Sequence, residues 1–199
     1  MSEVMAIESI VEAYAKFKGY FCEMRVPFKL RGGYSDLDIV GFNPKTRATL
    51  VVECKAWGSS DYYPSCGGSG YKRWFKEEFR RIIKKWDRFK KSPSNRWNLS
   101  KLDQIWYVLP GYSQDKEKVE AQLSKELKHS IRIIFIHELI RNVILEVNED
   151  RKKRGKRYSN PALEFCRWLL KCHEKGKLSL IDLDSELKRK EKIRRAFAN

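Results

Sequence analysis

Two stretches decide how this chain folds: Ser35-Asp36-Leu37-Asp38-Ile39-Val40-Gly41 and Leu50-Val51-Val52-Glu53-Cys54-Lys55-Ala56-Trp57. Both are rich in apolar residues, and the turn signal Asn43-Pro44-Lys45-Thr46 lies between them. The pattern predicts a β-hairpin with strands at residues 36–42 and 49–57. Three charged side chains, Asp38, Glu53 and Lys55, interrupt its otherwise apolar core positions.

The hairpin brings these three charges together. Side chains alternate along a strand, so Glu53 and Lys55 share a face. If the turn is centred between Lys45 and Thr46, Asp38 lies directly opposite Glu53. If it is centred on Pro44-Lys45, Asp38 faces Val51 and Glu53 is its diagonal neighbour. In either register the two carboxylates share a face, within about 8 Å of each other.

Carboxylates on an apolar hairpin are costly to bury without a counter-charge, and a divalent cation supplies one. Mg²⁺ favours one or two carboxylates and completes its shell with waters and phosphate oxygens. The pattern therefore predicts a Mg²⁺ or Mn²⁺ site at Asp38 and Glu53, with Lys55 acting on water or on a phosphate oxygen. The alternative is a solvated ladder of ion pairs, but the flanking residues are too apolar for an exposed ribbon.

The remaining pattern extends this hairpin into an α/β domain. Helical periodicity covers residues 4–18, 71–91, 116–128 and 137–151, and strand patterns cover 20–30, 102–109 and 131–136. The resulting order, αβββαβαβ, favours a mixed sheet flanked by helices. We place this domain at residues 1–150. The chain continues at 151–199 as a basic loop, 151–157, and a C-terminal helical extension at 161–175 and 183–197.

The charge of the chain points to a polyanionic partner. Lys and Arg number 42 against 26 acids, giving a net charge of +16, and such an excess favours nucleic acid. Tyr62, Tyr63 and Tyr71 are candidates for stacking on bases. The predicted phosphate contacts lie on one face of the helix at 71–91 and in the basic loop: Arg73, Lys76, Arg80, Lys84, Arg88, Lys91, Lys152, Lys153 and Arg154.

Other features bound the setting of the protein. The 5 cysteines have no paired spacing, which favours reduced thiols and a cytoplasmic location. The longest apolar run, at 131–136, is too short to cross a bilayer, so we expect no membrane partner. The charged C-terminal helices are a possible surface for a homodimer.

The hairpin resembles the PD-(D/E)xK superfamily of restriction-endonuclease-like nucleases, which includes archaeal Holliday junction resolvases and Mrr-like endonucleases. Asp38 matches the first acid, Glu53 the second and Lys55 the lysine, although Leu37 replaces the proline of the family name. The resemblance covers residues 4 to about 138 and implies an αβββαβ core and a metal-dependent endonuclease acting on DNA. A binding module that lacks cleavage, on the same fold, is the alternative.

The resemblance also implies two further metal ligands. One is the backbone carbonyl of Cys54. The other is a glutamate in the first helix, ahead of Gly19-Tyr20-Phe21, a place that Glu8 fits and for which Glu12, one turn later, competes. Asp36 is the second choice for the position of Asp38.

Overall fold

The computed structural model describes residues 3–30, 33–55, 69–110, 116–154 and 158–175. Each predicted element within these ranges is present, with boundaries shifted by a few residues. The helices and strands in chain order are α1 (Glu3–Phe17), β1 (Phe21–Leu30), β2 (Gly33–Asn43), β3 (Ala48–Cys54), α2 (Ser69–Phe89), β4 (Gln104–Leu109), α3 (Lys116–Leu127), β5 (Ser130–Phe135), α4 (Ile136–Arg154) and α5 (Pro161–Glu174).

The five strands form one mixed sheet in the order β1-β2-β3-β4-β5. The first three strands are an antiparallel meander, and β3, β4 and β5 run parallel. Parallel neighbours require crossover connections, which α2 and α3 provide. The predicted order αβββαβαβ and the mixed sheet flanked by helices are therefore confirmed.

Two apolar layers cover the faces of the sheet. On one face, α2 and α3 bury large side chains against the strands, and α2 alone contributes Phe75, Phe79, Ile82, Trp86 and Phe89. On the other face, α1 packs against β1, β2 and β3. There the rings of Tyr14 and Tyr20 lie 5.7 and 5.9 Å from that of Trp106. Burial of these aromatic rings supplies much of the driving force for folding.

The chain divides into two compact units, Met1–Ile136 and His137–Asn199. The predicted boundary after residue 150 falls inside α4, because the helix continues to Arg154. The predicted loop at 151–157 is therefore wrong for residues 152–154, which continue the helix that was predicted to end at residue 151. The run Asn148-Glu149-Asp150-Arg151-Lys152-Lys153-Arg154 contains neither glycine nor proline, so nothing in it ends a helix.

Within the second unit, Asn160 caps α5 by accepting hydrogen bonds from the amides of Ala162 and Leu163 at 2.9 and 3.3 Å. The predicted helix at 183–197 and the tyrosines at 62 and 63 lie outside the described residues. None of the helices that the structure describes has the length and apolar character needed to cross a membrane.

Candidate active site

The turn between β2 and β3 sets the register of the hairpin. Asn43 closes it, because its Oδ1 accepts hydrogen bonds from the amides of Lys45 and Thr46 at 3.0 and 3.2 Å. The strands then pair Val40 with Val51 and Ile39 with Val52. Continued by one residue, this register sets Asp38 opposite Glu53. Of the two predicted registers, the one with the turn centred between Lys45 and Thr46 is therefore confirmed.

Asp38 lies where the regular pairing of β2 stops. The amide of Cys54 donates a hydrogen bond to Asp38 Oδ2 at 2.6 Å. On the other side, the β1–β2 ladder skips the pair Arg25–Asp38, and Arg25 has a φ of 51°. Leu37 and Val40 both join the core beneath α2, so the alternation of β2 is broken between them. This irregularity leaves the Asp38 carboxylate bonded to the backbone of β3.

Glu53 is surrounded by cations. Its side chain is 3% exposed, and Lys55 Nζ lies 2.8 Å from Oε1. Helix α2 supplies two more partners: an Arg81 guanidinium nitrogen 3.0 Å from Oε1 and Lys85 Nζ 3.4 Å from Oε2. Charge-assisted bonds of this kind offset the cost of burying a carboxylate.

Sequence reasoning missed Arg81 and Lys85. Together with Glu78 they occupy positions i, i+3 and i+7 of α2, a single face between the apolar stripe and the exposed basic stripe. That spacing is the signal that could have found them. Glu78 accepts bonds from Arg81 at 2.7 Å and from the Tyr107 hydroxyl at 3.3 Å. Tyr107 lies on β4 and pairs with Glu53 of β3, so this network connects α2 to two neighbouring strands.

The two acids have opposite electrostatic environments. Burial and then the charge of Glu53 raise the pKa of Asp38 to about 6, although the Cys54 amide and the lysines at 55 and 85 lower it. Burial also raises the pKa of Glu53, but Lys55, Lys85 and Arg81 outweigh it, and the pKa lies below its ordinary value. The charge of Glu53 therefore opposes ionisation of Asp38.

Glu8 is buried and belongs to the surroundings of this site. Its carboxylate accepts bonds from Arg25 at 2.8 and 3.4 Å. Its charge, with those of Asp38 and Glu53, contributes to raising the pKa of the Cys54 thiol after the larger effect of burial. The charges of all three acids therefore act on the Cys54 thiol.

The competing acids are placed less favourably. Glu12 pairs with Lys16 at 2.8 Å, and its charge contributes to raising the pKa of the Cys22 thiol. Asp36 is exposed and pairs with Pro27 in the β1–β2 ladder. The geometry thus favours Glu8 over Glu12 and Asp38 over Asp36.

Two of the three acids, Glu8 and Glu53, already have cationic partners in this structure. Among the residues that it describes, no three His, Cys, Asp or Glu side chains group to hold a cation. Glu8 is engaged by Arg25, and both Glu53 oxygens have cationic partners. Asp38 and Glu53 nevertheless fit a two-carboxylate Mg²⁺ or Mn²⁺ site, because their mutual repulsion is what a divalent cation relieves.

The predicted basic face of α2 is present. Arg80, Lys84 and Arg88 are exposed on α2, and Lys91 is exposed beyond the end of the helix at Phe89; within the described part of the chain none of the four forms an ion pair. The other two predicted residues have acidic partners: Arg73 lies 3.2 Å from Glu77, and Lys76 lies 2.5 Å from Glu126.

The basic residues at 152–154 belong to the end of α4, but their side chains lie outside the described residues, as does that of Tyr71. The predicted contacts of Lys152, Lys153 and Arg154 with phosphate therefore stay predictions.

No protein-family model and no curated protein matches the chain. Among solved structures, a protein of unknown function, AF1548, is similar to it with a TM-score of 0.42 and 12% identity over 96% of this chain and 97% of that chain.

Proposed function

We propose that this protein is a Mg²⁺- or Mn²⁺-dependent nuclease that hydrolyses phosphodiester bonds in DNA, as an endonuclease with a restriction-endonuclease-like αβββαβ core. The observation that carries the proposal is the convergence of Asp38, Glu53 and Lys55 where β2 and β3 separate. The order of the elements and the resemblance to the PD-(D/E)xK superfamily support it.

Each residue of the site has a role in this proposal. Asp38 and Glu53 would hold the metal together with the backbone carbonyl of Cys54, and Glu8, which is paired with Arg25, would be a further ligand. Bound there, the metal supplies a Lewis acid for the phosphodiester and a more acidic water. Lys55 would orient the attacking water or hold a phosphate oxygen, because its ammonium lies beside Glu53.

The exposed face of α2 provides the path for the DNA backbone. Arg80, Lys84 and Arg88 repeat at i, i+4 and i+8, so their side chains form a row along one side of the helix. Cations in such a row neutralise successive phosphates without reading sequence. Since α2 also carries Arg81 and Lys85, which contact Glu53, the same helix links the basic row to the candidate site.

A cleavage assay tests the proposal. Supercoiled plasmid and a labelled four-way junction are incubated with Mg²⁺, Mn²⁺ or EDTA, using wild type, Asp38→Asn and Asp36→Asn. We expect metal-dependent cutting by wild type and by Asp36→Asn, and none by Asp38→Asn, with DNA binding retained in all three. Equal cutting by wild type and Asp38→Asn would exclude this site.

A second candidate function is a nucleic-acid-binding module without cleavage. It is favoured by one observation: Glu8 and Glu53 are already neutralised by Arg25, Arg81 and Lys85. Such a module would bind DNA or RNA with steep salt dependence and no affinity for Mn²⁺. Calorimetric titration with Mn²⁺ separates it from the nuclease.

A further inference from the structure

Arg81 and Lys85 occupy the oxygens through which Glu53 would bind a metal. A guanidinium nitrogen of Arg81 lies 3.0 Å from Glu53 Oε1, and Lys85 Nζ lies 3.4 Å from Glu53 Oε2. Lys85 is only 17% exposed, and its charge acts on Asp38 as well as on Glu53. One ammonium group thus compensates both carboxylates that are proposed to share the metal.

The local charges balance without a metal. Asp38, Glu53 and Glu78 carry three negative charges, and Lys55, Arg81 and Lys85 carry three positive ones. Addition of a divalent cation leaves an excess of two positive charges. A phosphodiester backbone is the partner that neutralises such an excess.

Arg81 can leave Glu53 without losing its own partner. It also donates to Glu78 at 2.7 Å, and its side chain is 45% exposed. Release from Glu53 would therefore leave the guanidinium paired and partly hydrated. Guanidinium and ammonium groups both bind phosphate oxygens well.

We propose that Arg81 and Lys85 are placeholder cations, a proposal that rests on the proposed function. They neutralise Glu53 in the metal-free protein and bind a substrate phosphate instead when the metal binds. They are positioning residues that couple the two binding events. The free protein then binds metal weakly, since the metal must displace the placeholders. With DNA present the displaced cations bind phosphate instead, so metal affinity rises.

The test measures Mn²⁺ affinity of the full chain without DNA, by calorimetry, for Arg81→Gln and Lys85→Met. The matched controls are Arg80→Gln and Lys84→Met. Each removes the same kind of charge from an exposed position that directly precedes the tested residue. We expect Mn²⁺ to bind about tenfold more tightly to Arg81→Gln and Lys85→Met than to wild type, because a repelling cation is gone. The controls should bind Mn²⁺ as wild type does.

A second readout addresses the transfer to phosphate. In the cleavage assay at saturating Mn²⁺, the same two variants should turn over more slowly than wild type despite their tighter metal binding. A merely structural role would lower both metal affinity and turnover. Circular dichroism spectra establish that each variant is folded.

The outcomes are distinguishable. Asp38→Asn is titrated alongside and should not bind Mn²⁺. If it does not, unchanged or weaker Mn²⁺ binding by Arg81→Gln or Lys85→Met overturns the placeholder role of that residue but not the proposed nuclease. Tighter binding combined with unimpaired turnover overturns the transfer to phosphate. Absence of Mn²⁺ binding in wild type and every variant overturns the proposed function, and the placeholder role with it.

Discussion

The backbone amide of Cys54 donates a hydrogen bond of 2.6 Å to the carboxylate of Asp38. This bond replaces the next rung of the β2–β3 ladder and ties the first acid of the site to the strand that carries the second. The Asp38 side chain is thereby held in place while the charge of Glu53 opposes its ionisation. The hydrogen bond holds the carboxylate in a place where its ionised form is disfavoured, so its ionisation should lower the stability of the fold.

Replacement of Asp38 by Asn should stabilise the metal-free protein at neutral pH. The folded-state pKa of Asp38 is raised from 3.8 to about 6, so the folded protein binds a proton more tightly than the unfolded chain. Its stability therefore falls as pH rises from about 4 to above 6. Asp38→Asn should not show this loss of stability, which is on the order of 1–3 kcal/mol in the free energy of unfolding. Thermal melts of the variant and wild type with EDTA, over a range of pH, measure the difference. A constant difference in Tm between pH 4 and pH 8 would contradict it.

Replacement of Glu53 by Gln should have the opposite sign. The pKa of Glu53 is lowered, so its ionised form stabilises the fold above the ordinary pKa of the group, and this contribution disappears as pH falls. Glu53→Gln also removes the carboxylate that pairs with Lys85, whose side chain is 17% exposed. We expect a loss of about 3 kcal/mol in urea unfolding at pH 7.

The control for that measurement is Glu77→Gln. It breaks the ion pair with Arg73, whose members are 63% and 84% exposed. We expect the free energy of unfolding to change by less than about 0.5 kcal/mol. Similar losses for Glu53→Gln and Glu77→Gln would mean that the buried network contributes nothing specific.

The exposed face of α2 should govern the salt dependence of DNA binding. The triple variant Arg80→Gln, Lys84→Gln, Arg88→Gln removes three cations that have no acidic partner in an ion pair among the described residues. The slope of log K against log salt should flatten by about 1 for each phosphate that the variant no longer neutralises. Fluorescence anisotropy with a labelled duplex at several KCl concentrations measures it. Lys76→Gln, whose ammonium already pairs with Glu126, should change the slope less.

The two glutamates of α1 should differ in their effect on cleavage. Glu8 is buried, and its charge acts on Cys54, whereas Glu12 pairs with Lys16 one turn later. We expect Glu8→Gln to lower the cleavage rate more than Glu12→Gln does under identical Mg²⁺ concentrations. The reverse order would identify Glu12 as the acid of the first helix.

The sequence predicted the elements and the hairpin well, because their signals are local. Asn43 and the apolar runs around it define the turn and its two strands without reference to the rest of the chain. The end of α4 was misplaced for the opposite reason. A run of basic residues near 151–157 resembles a loop in composition, yet helix propensity carries α4 through to Arg154.

The partners of the acids could not be predicted from the hairpin alone. The pairing of Arg25 with Glu8 joins residues 17 positions apart, and those of Arg81 and Lys85 with Glu53 join residues 28 and 32 positions apart. Such pairings depend on how α1 and α2 pack on the sheet. The spacing of Glu78, Arg81 and Lys85 marks one face of α2, but it does not identify Glu53 as the carboxylate that this face contacts.

Each side of helix α2 has a different environment. Phe79 and Trp86 pack in the core, and Arg81 and Lys85 contact Glu53. Arg80 and Lys84 are exposed to solvent. One residue inserted between Phe79 and Arg81 rotates everything downstream by about 100°. Residues that now lie in the core, at the site and on the surface would then all be moved to other sides of the helix at once. This part of the chain can therefore diverge by substitution but not by change of length, and a single-codon deletion here should be more harmful than most replacements of the same residues.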